Sequence, residues 1–121
     1  MRNMSFFLTT EQVREQTKDV TRRRGWSDLK PGERVQAVVK GQGIPKGEKV
    51  EKIVVIECVS NRRERLKEIT QDECRREGFP QFTPEQFVKM FCEHNGCGAE
   101  EPVNRIEFAY VNDATIPCGE A

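Results

Sequence analysis

"VEKIVVIECVS" (residues 50–60) is the stretch on which the fold turns. Its β-branched residues crowd along one short segment, as they do on a pleated, buried surface, and predict a central strand. Upstream lies "GQGIPKGEK" (residues 41–49), which matches neither Gly-x-x-x-x-Gly-Lys-Ser/Thr nor Gly-x-Gly-x-x-Gly and reads as a flexible hairpin loop rather than a phosphate cradle. Before it, "LKPGERVQAVVK" carries a Pro-Gly turn into a strand in which Val35, Ala37 and Val39 alternate with polar partners. Further back, "VTRRR" (residues 20–24) is a short extended piece. "MSFFL" (residues 4–8) predicts an opening apolar strand, and "TTEQVREQ" a helix capped by Thr9 or Thr10.

Downstream, two helices announce their starts. Thr70-x-x-Glu73 has the form of a capping box, with Ile69 and Cys74 placed as a hydrophobic staple. "TPEQFVKMFCEHNG" offers Thr83 as cap, Pro84 at the first helical position, Gln86 to complete the box and Gly96 as terminator. Phe87, Met90 and Phe91 make its buried stripe, a core pattern rather than a cofactor pocket. "NRIEFAYV" (residues 104–111) alternates as a closing strand, and a polar, frayed tail follows from Asn112. Strand, helix, strands, two helices, strand is an α+β order. It predicts a small curled sheet or barrel with helices gathered on one side.

A chain of 121 residues is most simply one domain, large enough to bury about two thirds of its unfolded surface. Charged residues make up 33%, yet Lys+Arg and Asp+Glu cancel at 20 each. A balanced chain has no global field to draw in polyanions, so nucleic-acid affinity would need a local patch. No apolar run approaches the roughly 18 residues of a membrane span and no signal-peptide core opens the chain, so a cytoplasmic monomer is expected, without membrane contact. The five cysteines are scattered, in keeping with reduced thiols. "CEHNGC" (residues 92–97) places His94 between Cys92 and Cys97. The spacing is not Cys-x-x-Cys, no second pair answers it, and His94 is the single histidine, so no metal site is expected.

The chemistry concentrates in "TKDVTRRRGW" (residues 17–26). If residues 20–23 are extended, Thr21 and Arg23 share one face while Val20 and Arg22 take the other. Lys18 sits in the turn before, where its stem can reach back over the hydroxyl. A lysine desolvated beside cations loses part of its hold on the proton and can serve as a base. A hydroxyl next to such a base becomes a usable nucleophile toward an amide or ester carbonyl. Glu77 falls in the last turn of its helix, where the negative end of the macrodipole disfavours a carboxylate by about 0.3–1 kcal/mol, the property a general acid needs. A competing reading comes from "NRRERLK" and "CRREG". If those arginines converged with Arg22 and Arg24, they would grip phosphates, and Trp26 is the aromatic best placed to stack on a base. Interleaved Glu64 and Glu77 favour a solvated face instead.

The opening strand and helix, "KDVTRR", "LKPGERV", the long β run, the helix ending "CRREGF" and the closing "RIEFAYV" together resemble the ASCH superfamily, small β-barrels related to PUA RNA-binding domains, over residues 3–111. Within it the chain is most similar to the compact N4-acetylcytidine amidohydrolases, whose Lys-x-x-Thr-x-Arg motif matches Lys18, Thr21 and Arg23. That resemblance implies a PUA-like barrel with two or three short helices. It implies Thr21 as nucleophile, Lys18 as its base, Glu77 as proton donor to the leaving amine, and a modified nucleoside as substrate with no cofactor. Arg23, with Arg22 and Trp26, would hold the substrate. The superfamily also contains modules that look like RNA-binding or ribonuclease-like domains, so an RNA partner is the alternative. The "RGWSDLK", "GQGIPKG" and "FCEHNGCGAEEP" segments depart from the compact pattern and fall where they would reshape the mouth of the pocket.

Overall fold

In the computed structural model, which describes residues 1–41, 44 and 46–112, the β-branched run seeds the longest strand. Numbered along the chain, the strands are β1 (Asn3–Ser5), β2 (Val20–Arg23), β3 (Arg34–Val38), β4 (Lys52–Arg65) and β5 (Pro102–Val111). The helices are α1 (Thr10–Arg14), α2 (Gln71–Arg76) and α3 (Pro84–Asn95). The sheet order is β1-β3-β4-β5-β2, so the expected central strand is central. β4 also runs on through Arg62, Arg63 and Arg65, beyond its apolar part, because β5 pairs with it as far as Arg65 opposite Pro102. A partner strand that satisfies the backbone overrides the poor β-propensity of charged residues. Val59 points outward, 48% exposed, where a register shift between Cys58 and Ser60 breaks the alternation.

The α+β class holds, with one addition and one correction to the expected sheet. β1 runs parallel to β3 while the other neighbours are antiparallel, so the sheet is mixed. Nor is it a closed barrel: among the described residues β1 and β2 are both edge strands, without a ladder between them. Strands of three and four residues offer little backbone to close a barrel, and a side chain bridges the edges instead, as Arg23 Nη2 donates to the Ser5 carbonyl at 2.7 Å.

The opening segment is less extended than its apolar pattern predicts. β1 ends at Ser5, and Phe7–Thr9 form a 3-10 turn that leaves Phe7 and Leu8 exposed. α1 starts at Thr10 with Thr9 in the capping position but without a side-chain cap; Thr10 Oγ1 donates back to the Phe6 carbonyl at 2.9 Å. At α3 the full expected signature forms, with the reciprocal Thr83–Gln86 box and left-handed Gly96. At α2 only half of it does. Thr70 accepts from the Glu73 amide, but the Glu73 side chain turns away to arginines. The tail from residue 113 lies outside the described residues.

Two apolar clusters make the core. One gathers Met4, Phe6, Val13, Val35, Ile56 and Phe108 beneath the curled sheet. The other packs Leu66, Ile69, Cys74, Phe87, Phe91 and Val103 under α2 and α3. Both lend members to the walls of one cleft, Phe6 from the first and Phe87 and Phe91 from the second. No helix of the described residues is long and apolar enough to cross a membrane.

Candidate functional site

The cleft measures about 740 Å³ and opens where the sheet fails to close, between β1 and β2 on one side and α3 on the other. That volume lies in the range of small-molecule sites, roughly 300–1,000 Å³. Lys18, Thr21, Arg22, Arg23, Trp26 and Glu77 all line it. Two remote pieces of chain, the entry to β2 and the end of α2, build the wall that carries Lys18, Thr21 and Glu77. β2 pairs with β5 through Thr21 opposite Ile106, which holds the hydroxyl on a strand rather than a loop. Lys18 lies just before β2, where Asp19 donates its amide to the Arg76 carbonyl and ties β2 to the end of α2. Glu77 closes α2, and Gly78 after it adopts φ +99°, a turn that keeps the glutamate under the cleft.

Lys18 and Glu77 are buried, and they meet. Lys18 Nζ donates to Glu77 Oε1 at 2.7 Å and to the Glu77 backbone carbonyl at 2.7 Å. Arg22 Nη1 donates to the other carboxyl oxygen at 3.1 Å. Lys18 and Arg22 both donate through N–H, so both carboxyl oxygens act as acceptors. Burial pushes the Lys18 amine below its usual value; Glu77 opposes that shift, and Arg23 and Arg22 add to it. Lys18 spends two N–H donors on Glu77, one on its carboxylate and one on its backbone carbonyl.

The Thr21 hydroxyl accepts from Arg23 Nε at 3.1 Å. A guanidinium on that oxygen stabilises the alkoxide form and leaves the hydroxyl proton free to be donated elsewhere. Arg23 lies 4.7 Å from the Phe6 ring centroid, and burial pulls its guanidinium down to about 10, with Glu77 opposing. Trp26 also lines the cleft at φ +73°, its ring stacked under the Arg2 guanidinium at 4.6 Å. Asn61 Nδ2 and Asn104 Nδ2 hold this turn by donating to the Trp26 and Gly25 carbonyls.

Arg22 lines the cleft, but its guanidinium is committed to carboxylates. Its side chain is 1% exposed and makes four hydrogen bonds to carboxylates, two to Glu64, one to Glu73 and one to Glu77. The strand alternation explains this, because Arg22 points away from the Thr21–Arg23 face into the acids of α2 and β4. Glu73 was legible only as a cap. It accepts a bidentate pair from Arg105 at 2.7 and 2.9 Å, which holds its carboxyl down to about 2 even against partial burial. No local signal marks this role, since the partners come from β2 and β5. The convergent basic face is not assembled either. Arg75 pairs with Asp72, Arg76 with Asp19 and Glu107, Arg62 with Glu64, and Arg24 with Glu101.

Cys92 and Cys97 are not bonded to each other, their sulfurs 3.9 Å apart. Among the described residues no group of three or more His, Cys, Asp or Glu is placed to hold a metal ion.

No family model and no curated protein matches the chain. Solved structures do match it in fold. An Enterococcus faecalis protein of the DUF984 family superposes with a TM-score of 0.64 at 13% identity, covering 91% of this chain and 79% of that one. An ASCH domain from Lactobacillus crispatus superposes with a TM-score of 0.57 at 13% identity, covering 90% and 78%. The chain therefore has an ASCH-like, PUA-like α+β fold, with a cleft of mixed apolar and charged lining at the unclosed edge of its sheet.

Proposed function

We propose that this protein is an amidohydrolase that cleaves the N4-acyl amide of an acylated cytidine. The observation that carries the reading is the buried Lys18–Glu77 contact at 2.7 Å in a cleft wall shared with Thr21. Neutral Lys18 takes the Thr21 proton as Oγ1 attacks the acyl carbon. Arg23, already on that oxygen, offsets the developing negative charge. As the C–N bond breaks, its electron pair goes to the exocyclic nitrogen, and the Lys18 ammonium passes the proton it took from Thr21 to the hydrogen-bonded Glu77 carboxylate, which hands it on to the leaving amine. Water then attacks the Thr21 ester with Lys18 again as base, and the carboxylic acid leaves as Thr21 regains its hydroxyl. The aromatic side of the cleft, Phe79, Phe87 and Trp26, suits a planar base.

The test is release of cytidine from N4-acetylcytidine, followed by chromatography. Thr21→Val keeps the shape of the side chain and lowers kcat/KM by at least about a thousandfold, while Thr21→Ser retains measurable turnover. Thr21→Val turning over at the wild-type rate removes the nucleophile from the mechanism. The RNA-binding alternative finds little support in the site, because most of its arginines are already paired with carboxylates of the same chain.

A further inference from the structure

The buried charges beside the cleft form one alternating chain. Arg105 on β5 grips Glu73 with two hydrogen bonds, Glu73 Oε1 accepts from Arg22 Nη2 at 2.7 Å, and Arg22 Nη1 reaches Glu77 Oε2 at 3.1 Å. Glu77 Oε1 in turn receives Lys18 at 2.7 Å. Glu64 on β4 fixes the guanidinium from the side, at 3.0 and 2.8 Å. Four elements meet in this chain, and its Arg22, Arg105, Glu77 and Lys18 ends are buried. Burying so many charges is costly, and well-packed apolar side chains would often give equal or better stability. Position and charge are what the arrangement supplies in return.

We propose that Arg22, clamped by Glu73 and Glu64 at hydrogen-bond distance from Glu77, is a positioning residue whose fixed charge beside the Lys18–Glu77 pair sets how readily that amine gives up its proton. The inference rests on Lys18 acting as the base in the proposed reaction, and it assigns a role to Arg22, Glu73 and Arg105 that substrate contact does not require. The charged groups facing Lys18 are Glu77 from the end of α2 and Arg22 and Arg23 from β2. Those facing Arg22 are Glu64, Glu73 and Glu77, and Arg105 stands behind Glu73. Removing the Arg22 charge takes a cation away from Lys18, so the ammonium becomes easier to form. Neutralising Glu73 takes away an anion and acts in the opposite sense.

The experiment measures the charge state of Lys18 directly, by NMR titration of the lysine side-chain ε-carbons with Lys18→Met for assignment, and kcat/KM against pH in parallel. Arg22→Gln moves the Lys18 midpoint up by roughly one pH unit, Glu73→Gln moves it down by a smaller amount, and Arg22→Lys, which restores the charge, leaves it near wild type. The acid limb of kcat/KM follows the same order, so Arg22→Gln is about tenfold slower on that limb. A purely structural network predicts lost stability without opposed midpoints. If Arg22→Gln does not fold, Glu73→Gln still decides. An unchanged Lys18 midpoint in a folded Glu73→Gln variant overturns the proposal. If wild type shows no turnover, the titration still tests the network, and only the amidohydrolase reading falls.

Discussion

Glu77 stands far in sequence from Lys18 and Thr21, in a chain whose edge strand and helix end are pulled together by a backbone bond from the Asp19 amide to the Arg76 carbonyl. At the scale of these residues the pH behaviour follows from burial. Lys18 is held below the ordinary lysine value of 10.5, so kcat/KM for cytidine release should rise with pH on a limb centred below that value. The same shift has a consequence for stability. The folded state prefers the neutral amine, so this group's contribution is full above pH 10.5 and is lost as pH falls through the folded midpoint. Titration of the Lys18 side chain gives that midpoint, and Lys18→Met should abolish turnover. Retention of the wild-type rate by Lys18→Met removes the base from the mechanism.

At the scale of elements, α2 depends on its two ends. Its first turn carries Glu73, whose carboxyl is held down to about 2 by the Arg105 hydrogen bonds, with burial working against them. The depressed value means that stability is present above about pH 4.5 and is lost as pH falls toward 2. Glu73→Gln should therefore flatten the acid limb of stability by on the order of 2 kcal/mol, read from urea unfolding at pH 3 and pH 6. Its last turn ends at Gly78, where φ is +99° and an added Cβ would stand 2.9 Å from Gln12 Cγ. Gly78→Ala strains the left-handed turn and pushes on Gln12, which donates its own side-chain amide to the Gly78 carbonyl. The expected cost is about 1–2 kcal/mol, with a fall in kcat, because the turn sets both the Glu77 carbonyl and its carboxylate beside Lys18. An unchanged thermal midpoint and kcat would show that the turn tolerates a side chain.

At the scale of the molecule, the cleft exists because the sheet stays open. Arg23 spans the gap from β2 to the Ser5 carbonyl, and its guanidinium lies over Phe6. Arg23→Met keeps an apolar stem and removes the bridge, so amide exchange across residues 3–9 should accelerate while β4 and β5 keep their protection. Uniform protection in that variant would mean that packing alone seats β1. The charges of the chain are balanced overall, and most of its arginines are paired internally. Affinity for single-stranded RNA should accordingly be weak, and its salt dependence shallow, in filter binding between 50 and 200 mM salt.

What could be read from the chain by itself was whatever depends on neighbours in sequence. The β-branched run at residues 50–60, the Thr83–Gln86 box with Pro84 and Gly96, and the Ile69–Cys74 staple act over a few residues, and each signal matches the element that forms. The Lys18-x-x-Thr21-x-Arg23 spacing was visible for the same reason, since alternation along a strand decides which side chains share a face. The tertiary structure decided whatever depends on distant partners. β4 outruns its apolar segment because β5 pairs with it, and Glu73 leaves its capping role because Arg105 and Arg22 arrive from other strands. Among the described residues the sheet stays open because its edge strands are short, and the Arg22 guanidinium goes to carboxylates because three acids converge on it. Charges interact through space, so a sequence shows how many there are while the fold alone decides which of them meet.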